Sequence, residues 1–112
     1  MGITVREESG KVVILQTPSR FTVEIASDFK DMLNDFVRDE KYCFVIDLSL
    51  TEYMDSSGLG AVVSRIAATR ANNGDIRLAA PTKFVEDLLE LTQLKRILKI
   101  YEDVDTAIKS FN

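Results

Sequence analysis

The chain has no histidine, no tryptophan, one cysteine and two prolines in 112 residues. Without histidine the commonest general base and the commonest metal ligand are both missing, so Ser-His-Asp, Cys-His and histidine-metal chemistries are excluded. Its single cysteine, Cys43, can form no internal disulfide. It lies in the apolar run Tyr42-Cys43-Phe44-Val45-Ile46 and reads as a small core hydrophobe. No apolar run approaches the roughly 18 residues of a membrane span, so no membrane association is expected. Positive charge is also in deficit: 14 basic residues stand against 18 acidic ones, a formal net charge of −4. That balance argues against a nucleic-acid surface, which needs clustered Lys and Arg. The densest basic stretch, Lys95-Arg96 with Lys99, reads as a solvated face. The carboxylates show no metal-loop spacing, and no metal or cofactor is expected. Residues Met1 to Glu7 alternate and carry charge, unlike a secretory leader, and Arg6 stands where N-myristoylation needs Ser or Thr. A cytoplasmic protein is the expectation.

What is present suits one globular domain over residues 1–112, with 46% hydrophobic and 29% charged residues. Ile3–Glu7 and Lys11–Leu15 read as strands joined by the turn Glu8-Ser9-Gly10. Thr17-Pro18-Ser19-Arg20 breaks the pattern. A helix follows, with Ile25, Phe29, Met32, Leu33, Phe36 and Val37 on one face and Asp28, Lys30, Asp31, Asp35 and Arg38 on the other. Tyr42–Leu48 is nearly continuously apolar, as in a parallel strand buried on both sides. Leu59, Val62, Val63, Ile66 and Ala67 keep helical spacing, predicting one helix from about Ser57 to Asn72, closed by Asn73-Gly74 with the glycine taking the left-handed conformation. Asp75–Ala80 reads as a strand. Pro81-Thr82 opens a helix whose stripe is Phe84, Val85, Leu88, Leu89 and Leu91. A short strand at Leu98–Tyr101 precedes a last helix, capped by Asp103 and carrying Val104, Ala107, Ile108 and Phe111. The expected architecture is α/β, in the order ββαβαβαβα, with a mostly parallel sheet covered by helices.

The most unusual stretch is Tyr53-Met54-Asp55-Ser56-Ser57-Gly58-Leu59-Gly60, at a strand-to-helix junction where open α/β sheets place their ligands. Three short polar residues compete for one N-cap. The surplus leaves a hydroxyl at the positive end of a helix dipole, where an anion or phosphate is well received. Gly58-Leu59-Gly60 lacks the third glycine of a dinucleotide fingerprint, since Val63 occupies that position. Ser56 is no nucleophile elbow, because Met54 stands where the first glycine belongs, and no Walker A sequence occurs. The residues themselves leave two readings open, a plain helix cap and an anion or phosphorylation site.

Together with Val45-Ile46-Asp47-Leu48-Ser49, this stretch resembles the signature of STAS domains, and specifically of small bacterial anti-sigma factor antagonists. The similarity covers the whole chain in element order and length. It implies a regulator that is not an enzyme and that works by partner switching. The unmodified form would bind an anti-sigma factor with serine kinase activity and so release a sigma factor. Phosphorylation at Ser56 would end that complex, and a metal-dependent serine phosphatase would restore it. Asp55, Ser57, Gly58 and Leu59 would shape the loop and helix start shown to the kinase, and Phe21 and Thr22 would join the partner surface. Phe21 also admits a core reading. Ser64, Ala68 and Ala71 form a helix face that is either solvent-facing or a docking surface. The sequence departs from the family pattern at Ser19 and Thr22, where a glycine and an aspartate are common, and at Gln93, where glycine is frequent. Other readings are a phosphorylation-independent STAS interaction or scaffold module, including a transport accessory, and a small nucleotide-binding protein. A free monomer is the default.

Overall fold

A computed structural model describes residues 2–112, with the side chains of residues 6–9 left aside. Strands β1 (Thr4–Ser9) and β2 (Val12–Gln16) form an antiparallel hairpin in which Ser9 faces Val12, so the turn is Gly10-Lys11, with Gly10 at φ 62°. Next come β3 (Arg20–Phe21), α1 (Val23–Arg38), β4 (Cys43–Asp47), β5 (Tyr53–Met54), α2 (Ser56–Val63) and α3 (Ile66–Ala71). The chain ends with β6 (Asp75–Ala79), α4 (Lys83–Leu91), a 3-10 turn (Leu94–Arg96), β7 (Ile100–Tyr101) and α5 (Val104–Lys109). The main sheet has the order β1-β2-β4-β6-β7, and every pair after the hairpin is parallel. This is a single α/β fold with a mostly parallel main sheet covered by helices, and its main-sheet strands and helices follow the expected order ββαβαβαβα apart from the differences below.

Strand alternation divides the core in two. Val13, Leu15, Phe44, Ile46, Ile76 and Leu78 face one side, where Phe29 and Leu33 of α1, Val62 of α2, and Val85 and Leu89 of α4 pack on them. Val12, Ile14, Cys43, Val45 and Ala79 face the other side, covered by Ala107 of α5 with Val104, Ile108 and Phe111. Complete burial of a side chain such as Phe44 or Leu33 contributes about 1.5–3 kcal/mol each, so the three-helix face carries most of the stability. The apolar stripe of α1 falls where the periodicity puts it, with its acidic face in solvent.

Four expectations are corrected. The single helix over about 57–72 is two helices, because Ser64 Oγ donates to the Ala61 carbonyl at 2.7 Å and Arg65 reaches the Ser64 carbonyl at 3.2 Å and Asn34 of α1. Such side-chain bonds compete with the helix ladder, which resumes at Thr69 N–H to Arg65 O. Gly74 is not the left-handed residue; Asn73 is, at φ 64°. Gly74 serves close approach, since a Cβ there would lie 2.0 Å from the Tyr42 carbonyl oxygen. In α4, only Val85, Leu88 and Leu89 turn inward, while Leu91 is 81% exposed and Phe84 41%. Finally, β3 and β5 are short parallel partners, Arg20 with Tyr53 and Phe21 with Met54, inside segments that read as loops. Gln93 holds a left-handed φ of 63°, which accounts for the turn at a position that glycine would fill without strain.

At the start of β6, the 5%-exposed carboxylate of Asp75 accepts from Arg70 Nε at 2.8 Å and Arg77 Nε at 3.0 Å. Burial opposes its ionisation, but the bonds from Arg70 and Arg77 prevail and hold its pKa below the ordinary 3.8. A depressed folded pKa means that stability is present above the unfolded value and lost as pH falls through the folded one. Asp75→Asn should therefore cost about 3 kcal/mol at neutral pH, the low end for breaking a buried pair. Urea unfolding from neutral pH down to below 3.8 should show this difference shrinking with acid. A difference that stays constant over that range would refute the ion-pair account.

Candidate functional site

Two loops at the C-terminal ends of β2 and β4 are bound together. Thr17 N–H donates to Asp47 O at 3.2 Å, and the buried hydroxyls of Thr17 and Thr51 lie 2.5 Å apart. Thr51 Oγ1 donates to Pro18 O at 2.8 Å, and Thr82 Oγ1 at the start of α4 donates to Thr51 O at 2.5 Å. The Ser19 carbonyl accepts from Glu52 and Tyr53, and the Phe21 carbonyl from Asp55 N–H at 3.3 Å. Asp47, 2% exposed, holds the bend after β4 by accepting from Ser49 N–H at 3.0 Å and Gln16 Nε2 at 3.1 Å. The start of α2 is thus placed by backbone pairing and buried threonines.

On that frame, Asp55 is the N-cap of α2. Its Oδ1 accepts from Gly58 N–H at 2.9 Å. Ser56 is the first helical residue and is exposed, and its hydroxyl makes no hydrogen bond among the described residues. Since Asp55 takes the capping role, the Ser56 hydroxyl is left chemically free at a helix N-terminus. Ser57 is half-buried beside it and, with Val23, Ala26, Ser27, Lys30 and Gly60, lines a groove of about 300 Å³ between α1 and α2.

The other expected partner-surface residues are placed differently. Phe21 is fully buried, edge-on to Phe29 with ring centroids 5.2 Å apart, so its side chain belongs to the core and offers a partner nothing. Leu59 is 8% exposed and packs into the same core, because the fourth residue of α2 faces the sheet. Gly58 is buried as well: a Cβ there would lie 2.4 Å from the Phe21 carbonyl oxygen. Thr22 is half-buried at the N-cap of α1 without a side-chain cap bond, its carbonyl accepting from Ile25 and Ala26. Among Ser64, Ala68 and Ala71, the break at residue 64 separates the first from the others, so they do not share one helix face.

Sequence reasoning missed a side-chain stack next to the site. Arg20 lies over the Tyr53 ring at 4.7 Å, and Tyr53 lies 5.3 Å from Phe84. The pairing of β3 with β5 brings Arg20 and Tyr53 together, and two residues per strand are too few to show a period.

These features describe a STAS domain in atomic detail, and the chain matches the STAS domain over residues 4–107. It belongs to the STAS domain family. A candidate anti-sigma factor antagonist of Thermotoga maritima is 34% identical over 100 residues, covering 88% of each chain. The crystal structure of such a protein from the same organism superposes with a TM-score of 0.87 at 30% identity, over 94% of this chain and 91% of that one. The fold is also that of the anti-sigma factor antagonist SpoIIAA in its unphosphorylated form, with a TM-score of 0.85 at 16% identity and coverage of 96% and 94%.

The two glycines of the motif should behave in opposite ways. Gly58→Ala drives a methyl into a backbone oxygen and should destabilise by about 2 kcal/mol or more. Gly60 has nothing within 4 Å of a built Cβ, so Gly60→Ala should stabilise α2 by up to about 1 kcal/mol. Thermal unfolding checks both, and a neutral Gly58→Ala would contradict the close approach.

Proposed function

We propose that this protein is an anti-sigma factor antagonist that acts by partner switching at Ser56. The observation that carries the reading is the division of labour at the start of α2: Asp55 caps the helix, and Ser56 presents an unbonded, exposed hydroxyl one residue later. A serine kinase needs such a hydroxyl on a fixed, accessible turn. The unphosphorylated protein binds an anti-sigma factor that is itself the ATP-dependent kinase, and a metal-dependent serine phosphatase reverses the modification. The protein itself performs no catalysis. Its similarity to the Thermotoga maritima relative supports the antagonist class.

A phosphate on Ser56 adds about −1.5 to −2 charge at neutral pH. At a free helix N-terminus this charge is tolerated, so the fold survives. In a closed interface, beside the Asp55 carboxylate, it must be desolvated or matched by cations. A hundredfold loss of affinity corresponds to about 2.7 kcal/mol, within reach of one misplaced dianion. The switch therefore needs no refolding.

Pull-downs from the source cells with wild type, Ser56→Ala and Ser56→Asp test the proposal, read by mass spectrometry of partners and of the Ser56 peptide. Wild type and Ser56→Ala should enrich an ATP-binding kinase, Ser56→Asp should lose it about a hundredfold by the same arithmetic, and wild-type Ser56 should carry phosphate. Identical partners for all three, with Ser56 unmodified, would favour the phosphorylation-independent scaffold module instead.

A further inference from the structure

At the N-terminal ends of β6 and β7, away from the Ser56 loop, a cleft of about 610 Å³ is lined by Arg70, Arg77, Lys95, Arg96 and Lys99, with Asp75 and Ile97. Its charged lining is five cations against one carboxylate, a net +4, in a chain whose formal charge is −4. These cations come from α3, β6, the 3-10 turn and the loop before β7, so only the fold brings them together. Asp75 shares its two oxygens between Arg70 and Arg77. Arg70 also donates to Ile97 O at 2.5 Å, and Arg77 to Ser110 O at 2.7 Å while stacking 4.1 Å over Phe111. Both guanidinium groups are thereby fixed in place, and each of their five-donor forks retains unspent N–H groups.

The ion-pair network accounts for Arg70 and Arg77 and for nothing else in the cleft. Lys95 is 3.8 Å from Glu90, Arg96 bonds only Gln93, and Lys99 has no ion-pair partner among the described residues. Gathering like charges costs free energy that an anion would return. Preorganised arginines flanked by exposed lysines match a group that concentrates several negative charges, and a cleft of this size is in the range of small-molecule sites.

We propose that this cleft binds a small anion bearing at least two linked phosphate groups. The site is separate from Ser56 and independent of partner switching: β6 pairs with β4 from Asp75 opposite Cys43 to Ala79 opposite Asp47, so the two sites lie at opposite ends of the sheet. Both can be occupied at once.

The test is an amide NMR titration of the full chain with inorganic pyrophosphate and, separately, with ADP. Saturable shifts should centre on residues 74–77 and 95–99. Lys95→Ala/Lys99→Ala removes two exposed side chains without touching the Asp75 network and should raise the Kd about tenfold, or about 1.4 kcal/mol. Ser56→Asp should leave the titration unchanged, so failure here and failure of the switch at Ser56 are separately visible. Tighter binding of ADP would assign the ligand to nucleotides, and equal binding to the diphosphate group itself. The proposal is overturned if no shift saturates, if shifts centre on residues 55–59, if the double variant binds as wild type, or if an oligoglutamate peptide binds as well as pyrophosphate.

Discussion

The carbonyl oxygen of Phe21 occupies the space that a side chain at position 58 would need. Everything that distinguishes the start of α2 depends on that contact. Because residue 58 is glycine, α2 settles against β3; because it settles there, Phe21 can receive the Asp55 amide and Asp55 can receive the Gly58 amide. The buried ring of Phe21 locks this carbonyl to α1 through Phe29. A residue that looks like a partner contact in the sequence is instead the anchor for the neighbouring loop. Its backbone serves the site and its side chain serves the core.

Regular elements with a long apolar period were legible. The inward face of α1, the doubly buried β4 and the Asp103 cap of α5 all follow from spacing and residue type. What was not legible arises from contacts between distant parts of the chain. The break at Ser64-Arg65 needs Asn34 across the α1 interface. The role of Gly74 needs the Tyr42 carbonyl, and the pairing of β3 with β5 spans only two residues of each. In α4, Phe84 and Leu91 obey the helical period yet point outward, because the stripe is wider than the surface available to receive it.

Within the motif, sequence physics singled out the stretch and left its parts undivided. Three polar residues looked interchangeable as caps, and geometry separates them: Asp55 caps, Ser56 is free, and Ser57 lines the groove toward α1. The two glycines looked like one pattern. One is required by packing and the other is open to solvent. The basic residues Lys95, Arg96 and Lys99 read as an ordinary solvated face because Arg70 and Arg77, which complete the cluster, are far from them in the chain.

The Asp55 cap has one more consequence, for the direction in which an added group at position 56 would point. The carboxylate already holds the Gly58 amide, one of the few free donors of the first turn. A phosphate on the neighbouring residue would find that seat taken by a like charge. It would be turned outward, kept in the favourable field of the helix terminus but without that amide, and most of its charge would be read by whatever approaches the surface.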